Sequence, residues 1–253
     1  MFTLNKTLVT KFSLSPSTDE EDLNDYIFET ATSCDNSLRA ASSSDHSVIV
    51  ISPTFDILGR LNYHKDTIQN ILFSSVSPPI IYSASSDKSV CIWDIRAPTA
   101  PQAILNMHEE VPAISVGLGE NLLAVACEST IHFFDVRALD RKLGVYADCH
   151  TDEITQLKFH PKNPSVLTSG GEDGLICVFD TSVSAKDEAV VSILNSECPG
   201  SSKSNTLIII NSSDSTNPQH IYLRPVRKLG YFGDGSEGVY CLSSVETGTV
   251  NLF

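Results

Sequence analysis

Basic residues are scarce in this chain. Its 253 residues hold 17 Lys and Arg against 31 Asp and Glu, a formal net charge of −14. Such a chain lacks the broad basic surface that nonspecific binding to nucleic acid or anionic membrane requires. Neither is expected among its partners, and the acidity reads most simply as solubility. The run Asp19-Glu20-Glu21-Asp22 is read as a solvated loop. Long apolar runs are missing too. Nothing approaches the roughly 20 apolar residues that span a bilayer, and the start Met1-Phe2-Thr3-Leu4-Asn5-Lys6 lacks a signal-peptide core. The expected location is cytoplasm, nucleus or both, where the sequons at Asn5 and Asn211 have no consequence.

The cysteines form no CxxC pair. Cys34, Cys91, Cys127, Cys149, Cys177, Cys198 and Cys241 are odd in number and have no zinc-ligand spacing. A reducing compartment is implied, and neither metal nor cofactor is expected. The glycine-rich Gly230-Tyr231-Phe232-Gly233-Asp234-Gly235 has no P-loop lysine and no helix pattern after it, so it is read as an inter-strand turn. No long stretch shows the 3.6-residue apolar period of a helix, which points to a mostly β chain.

What the chain does have is a repeat. His64, Asp66, Ile68, Phe73, Ser83, Asp87, Trp93 and Asp94 match His150, Asp152, Ile154, Phe159, Ser169, Asp173, Phe179 and Asp180, each 86 residues later. A middle copy is weaker. It begins at His108, carries Glu110 and Glu128 where the better copies have Asp, and ends in Phe134-Asp135. The terminal Asp residues (94, 135 and 180) are spaced by 41 and 45. An earlier copy, Asp45-His46-Ser47-Val48-Ile49-Val50-Ile51, keeps the spacing but has lost the aromatic-Asp pair. Between these marks lie short apolar runs such as Val166-Leu167-Thr168-Ser169 and Leu175-Ile176-Cys177-Val178-Phe179, joined by turn residues at Glu172-Asp173-Gly174.

This pattern resembles the WD40 repeat, each copy of which builds one four-stranded blade of a β-propeller. The resemblance implies an all-β WD40 propeller of about four blades plus a partial fifth, its ring incomplete. Residues 1–253 are read as a single partial propeller: 1–57 a degenerate first blade, 58–101 a repeat, 102–143 a degenerate repeat and 144–194 a repeat. A low-complexity loop or insertion then covers 195–222, and a partial last blade 223–253. The same resemblance assigns the Ser, His and Asp residues to structural tetrads, His64, Ser83, Asp87 and Trp93 in one blade and His150, Ser169, Asp173 and Phe179 in another. A hydrolase reading of these residues would need one site, and the set recurs blade by blade. Phe179 cannot supply the indole N–H of Trp93, so the second network should be the smaller.

Within that family, His150 to Pro161 and Glu237 to Ser243 look most like WD repeat-containing protein 89 and its relatives. Two departures stand out. About 30 surplus residues follow Asp180, within which Leu207–Ile210 could form a strand. The chain also stops at Phe253, in the aromatic position, where a closing Asp should follow, so a truncated gene product is expected.

Two functions are weighed. The first is a noncatalytic protein-protein interaction scaffold whose partners are other proteins of unknown identity. The alternative comes from Asp94-Ile95-Arg96 and Asp135-Val136-Arg137. Both resemble the aromatic-Asp-x-Arg box of cullin-4 ubiquitin-ligase substrate receptors. By that resemblance, Asp94, Arg96, Asp135 and Arg137 would dock on the ligase adaptor.

Overall fold

Four hairpin-linked antiparallel meanders follow one another along the chain. The structure, a computed structural model, describes residues 26–117, 119–195, 226–232, 238–243 and 250–252. The first blade is β1 (Ile27–Thr32), β2 (Arg39–Ser43), β3 (Ser47–Ile51) and β4 (Ile57–Asn62). The second is β5 (Ile68–Phe73), β6 (Ile80–Ser85), β7 (Ser89–Asp94) and β8 (Ala103–Asn106). The third is β9 (Ile114–Gly117), β10 (Leu122–Cys127), β11 (Thr130–Asp135) and β12 (Ala138–Tyr146). The fourth is β13 (Ile154–Phe159), β14 (Val166–Gly171), β15 (Leu175–Asp180) and β16 (Val190–Asn195). A three-stranded sheet of β17 (Val226–Phe232), β18 (Gly238–Ser243) and β19 (Val250–Leu252) comes last. Each sheet pairs its strands in chain order, and none closes on itself among the described residues. Among the described residues the one departure from β structure is a single helical turn, α1 (Lys186–Ala189).

The apolar cores lie between blades. Trp93, Cys91 and Ile81 of the second blade pack with Val48, Val50 and Leu61 of the first. Phe134, Leu123 and Val125 of the third pack with Tyr82, Val90 and Leu105 of the second. Phe179, Leu167 and Cys177 of the fourth pack with Phe133, Tyr146 and Ala124 of the third. The aromatic of each aromatic-Asp pair thus faces the preceding blade. One blade cannot bury its own apolar face, so stability is shared between neighbours, as in other repeat proteins.

The innermost strands are stitched by side chains. The Ile114 N–H donates to the Asn70 side-chain carbonyl at 3.3 Å, and the Phe159 N–H to the Ser115 hydroxyl at 2.9 Å. The Thr155 hydroxyl donates to the Val226 carbonyl. Gly117 is needed for this approach. A Cβ there would stand 2.5 Å from the Phe159 ring, closer than real contacts allow. The inner strands β1, β5, β9, β13 and β17 border one central space, across which Lys228 of the three-stranded last sheet reaches Glu29 of the first in an ion pair, and the propeller is incomplete.

One reading of the sequence changes. Gly230, Tyr231 and Phe232 lie inside β17 and are not a turn, because the ladder to β18 pairs all three, with Tyr240, Val239 and Gly238. The Tyr231 hydroxyl bonds Thr168 at 2.5 Å, which ties that strand to the fourth blade. Residues 233–235 of the same stretch, the candidate strand Leu207–Ile210 and Phe253 lie outside the described residues.

Candidate functional site

In the second blade the structure brings His64, Ser83, Asp87 and Trp93 together. The Ser83 hydroxyl accepts from the Trp93 indole N–H at 2.9 Å and faces His64 Nε2 at 2.7 Å. His64 Nδ1 stands 3.0 Å from Asp87 Oδ2. One tautomer satisfies every group: Nδ1–H donating to the carboxylate, Nε2 accepting from the serine. Asp87 also accepts the Lys65 N–H at 2.9 Å and the Ser89 N–H at 3.0 Å. The Ser89 hydroxyl adds a 2.5 Å bond to Asp87 and lies 3.1 Å from His64 Nδ1.

The electrostatics follow from burial and partners. Burial pushes the His64 imidazolium below its ordinary pKa, although Asp87 pulls the other way. Burial would raise the Asp87 carboxyl, but the Ser89 hydroxyl, the Lys65 N–H and His64 outweigh it and leave it lowered. The pair at neutral pH is therefore a neutral imidazole on an ionised carboxylate.

The fourth blade repeats the arrangement with fewer parts. His150 Nδ1 meets Asp173 at 2.9 Å and Nε2 meets Ser169 at 2.6 Å. Thr151 and Leu175 donate their N–H groups to the same carboxylate. Phe179 fills the tryptophan position, 1% exposed, with no donor to offer. Leu175 stands where the second blade has Ser89, so that hydroxyl is missing too. Gly171 makes room for the set, since a Cβ there would lie 2.6 Å from His150 Nδ1 and 2.7 Å from Asp173.

Among the described residues, the first and third blades show no histidine strut. In the third, His108 is exposed, and fully buried Val125 takes the register of Ser83 and Ser169. The turn is also shorter, with Cys127 paired directly to Thr130 and Glu128 at φ 49°. In the first, Asp45 holds Ser47 and forms a 2.6 Å ion pair with Arg60. Sequence reasoning missed Ser89. The signal was an Asp-x-Ser pattern, visible also at Asp45-x-Ser47 and Asp180-x-Ser182, where the serine hydroxyl bonds the aspartate.

Ser83 and Ser169 are both 0% exposed. A nucleophile must meet its substrate, and these hydroxyls meet only their own blade. Cys91, Cys127, Cys149 and Cys177 are likewise withdrawn, their thiols pushed up to about 12 by burial. Among the described residues no cluster of three or more His, Cys, Asp or Glu is placed to hold a metal ion.

The aromatic-Asp-x-Arg pairs behave differently from each other. Asp94 grips the Arg96 guanidinium in a fork, through Nε at 2.9 Å and Nη2 at 2.6 Å. Asp135 takes only the Arg137 backbone N–H, at 2.9 Å. Arg137 is exposed, and its guanidinium has no hydrogen bond or ion pair among the described residues.

The two ends of the ring differ in charge. Where the inner strands begin, Glu109, Glu110, Glu128, Asp152 and Glu153 line a cleft of about 520 Å³. Burial, then its acidic neighbours, raises the Glu153 carboxyl. Where the inner strands end, a central cavity of about 610 Å³ opens, lined by all five of them. Arg96 and Arg137 sit at this second end, because Ile95 and Val136 bond to the loops that leave β5 and β9.

Blades cored between neighbours, around a central cavity and braced by His–Ser–Asp struts, define a β-propeller repeat protein. The WD domain, G-beta repeat model matches residues 55–94 and 141–180. The chain is 30% identical over 245 residues to WD repeat-containing protein GTS1 of Arabidopsis thaliana, covering 94% of this chain and 56% of that one. It is 29% identical over 211 residues to the WD repeat-containing protein 89 homolog of Dictyostelium discoideum, covering 83% and 50%. A chain in the crystal structure of the Mitotic Checkpoint Complex matches 91% of this chain and 61% of its own length, with a TM-score of 0.69 at 14% identity, and so shares the fold. The chain belongs to the WD40-repeat family, and it spans about half the length of the curated relatives it matches.

Proposed function

We propose that the chain serves as a noncatalytic protein-interaction scaffold, in a reducing compartment such as cytoplasm or nucleus. The observation that carries this reading is the fate of the Ser, His and Asp residues. Both ring nitrogens of His64 and the Ser83 hydroxyl are consumed inside the blade, and the fourth blade repeats the pattern. What reaches solvent is loops on a rigid frame, the usual carriers of partner contacts. Membership in the family supports the reading, as does the fold shared with a chain of a multi-protein complex. The test is a fluorophosphonate probe on the folded chain with mass detection of adducts. No adduct on Ser83 or Ser169 is expected; a stoichiometric adduct on either would sink the reading.

A second reading, docking on the cullin-4 ligase adaptor, draws support from Arg137. A guanidinium fork suits bidentate pairing with a carboxylate, and Arg137 is uncommitted while Arg96 is held by Asp94. If the adaptor binds, Arg137→Ala should weaken it by roughly ten-fold or more, and Arg96→Ala by less. Binding of purified adaptor measured by biolayer interferometry checks the order. Equal losses, or no binding by wild type, would remove this reading.

A further inference from the structure

Among the described residues, one cation on the wall of the central cavity makes no ion pair. Four charged side chains dominate its wall: Glu29, Glu120, Lys158 and Lys228. Lys228 is paired with Glu29. Glu120 is occupied at the rim, where it accepts from the Ser74 hydroxyl at 2.5 Å and the Ser75 hydroxyl at 3.0 Å. Lys158, on the innermost strand of the fourth blade, has no hydrogen bond or ion pair among the described residues. It is exposed, but to the cavity. Poor solvation there and the nearby Lys228 ammonium hold its pKa below the ordinary value, with Glu29 only partly opposing them. An ammonium on the cavity wall with no hydrogen bond or ion pair of its own is attracted to an arriving anion.

Two amides in the same wall are half used. The Asn70 carbonyl accepts the Ile114 N–H, which leaves its NH₂ to donate. The Gln156 NH₂ donates to the Thr155 carbonyl, which leaves its carbonyl to accept. One free donor and one free acceptor are the complement of a peptide group. The volume, about 610 Å³, falls in the range of ordinary ligand sites.

We propose that the central cavity seats an acidic peptide segment of a protein partner, with an Asp or Glu carboxylate on Lys158 and the segment's backbone on Asn70 and Gln156. The polarity of the ring agrees. The five carboxylates of the other cleft repel such a segment, while Lys158 lines the end where the cavity opens and the exposed Arg137 stands at that same end. The inference rests on the scaffold reading and names the chemistry of one partner contact.

The experiment uses the full chain and three probes: a capped Gly-Glu-Gly-Glu-Gly peptide, its Gln counterpart and inorganic phosphate. Acetic anhydride labelling of Lys158 is followed by peptide mass mapping, with exposed Lys65 and Lys162 as internal references. The Glu peptide should slow Lys158 labelling by roughly ten-fold or more and spare the references, as a charge-assisted contact predicts. The Gln peptide should not. Lys158→Gln should abolish binding of the fluorescently tagged Glu peptide without lowering the unfolding midpoint of the chain, and Lys158→Arg should restore binding. Protection by phosphate alone, equal protection by the Gln peptide, or no protection by any probe would overturn the proposal. None of these failures touches the scaffold reading, which answers to the adduct test on Ser83 and Ser169.

Discussion

Asp87→Ala is expected to destabilise folding by about 2–4 kcal/mol, because it strips the acceptor from the neutral His64 Nδ1–H and from two backbone N–H groups. The carboxylate accepts from His64 Nδ1, the Lys65 and Ser89 N–H groups and the Ser89 hydroxyl. Its side chain is 10% exposed and that of His64 only 1%, so water cannot replace all of these bonds. Ser89 lies 3.1 Å from the imidazole and can keep part of the network, which favours the lower end of the range. Asp87→Asn retains one acceptor oxygen and should cost roughly half as much. Urea unfolding followed by Trp93 fluorescence measures both, since Trp93 is the only tryptophan in the chain. An Asp87→Ala effect below about 1 kcal/mol would show that the strut is decorative.

Acid should act through the same pair. The His64 pKa is lowered in the folded state, so the unfolded chain binds the proton more readily. Stability is then full above about pH 6.5 and is lost as pH falls through the interval between that value and the lowered folded pKa. The Asp87 carboxyl is also lowered, so its contribution is present above the ordinary carboxylate pKa and is lost below it, toward the folded pKa. Two descending steps in unfolding free energy are expected. Asp87→Ala should shrink the second, because that carboxylate is gone.

The repeat was open to sequence reading because a strut demands fixed residue types at fixed registers. A histidine before the inner strand, a serine on the next and an aspartate in the turn must meet in space, and their offsets cannot drift. The degenerate blades were harder. With Val125 at the serine register, the third blade trades the polar strut for apolar packing, and offsets no longer constrain it. Lys158 was invisible for another reason. In sequence it is the polar member of an alternating strand, like any solvent-facing lysine. Only the ring decides that its outside is a cavity shared with Asn70, Gln156 and Lys228. The same holds for Arg137, whose motif matches that of Arg96 until the structure shows which guanidinium is already gripped.

Trp93→Ala should cost about 3–5 kcal/mol, as large-to-small changes at buried aromatics do. Trp93 is 0% exposed and packs with Val48, Val50 and Leu61 of the first blade, so the cavity opens at the blade interface. Limited proteolysis should therefore cut first within β1 to β4, with circular dichroism following stability once the fluorophore is gone. Trp93→Phe copies what the fourth blade already does with Phe179. It keeps an aromatic in place but removes the N–H that Ser83 accepts, and about 1–2 kcal/mol is expected. Combining it with Ser83→Ala separates packing from hydrogen bonding. In the wild-type background, Ser83→Ala orphans two groups, the Trp93 N–H and His64 Nε2. In the Trp93→Phe background it orphans only the imidazole, so the double variant should cost less than the two single changes added, by about 1 kcal/mol. Strict additivity would mean that the indole and the serine do not share a network, and that the tryptophan of this blade is there for its volume alone.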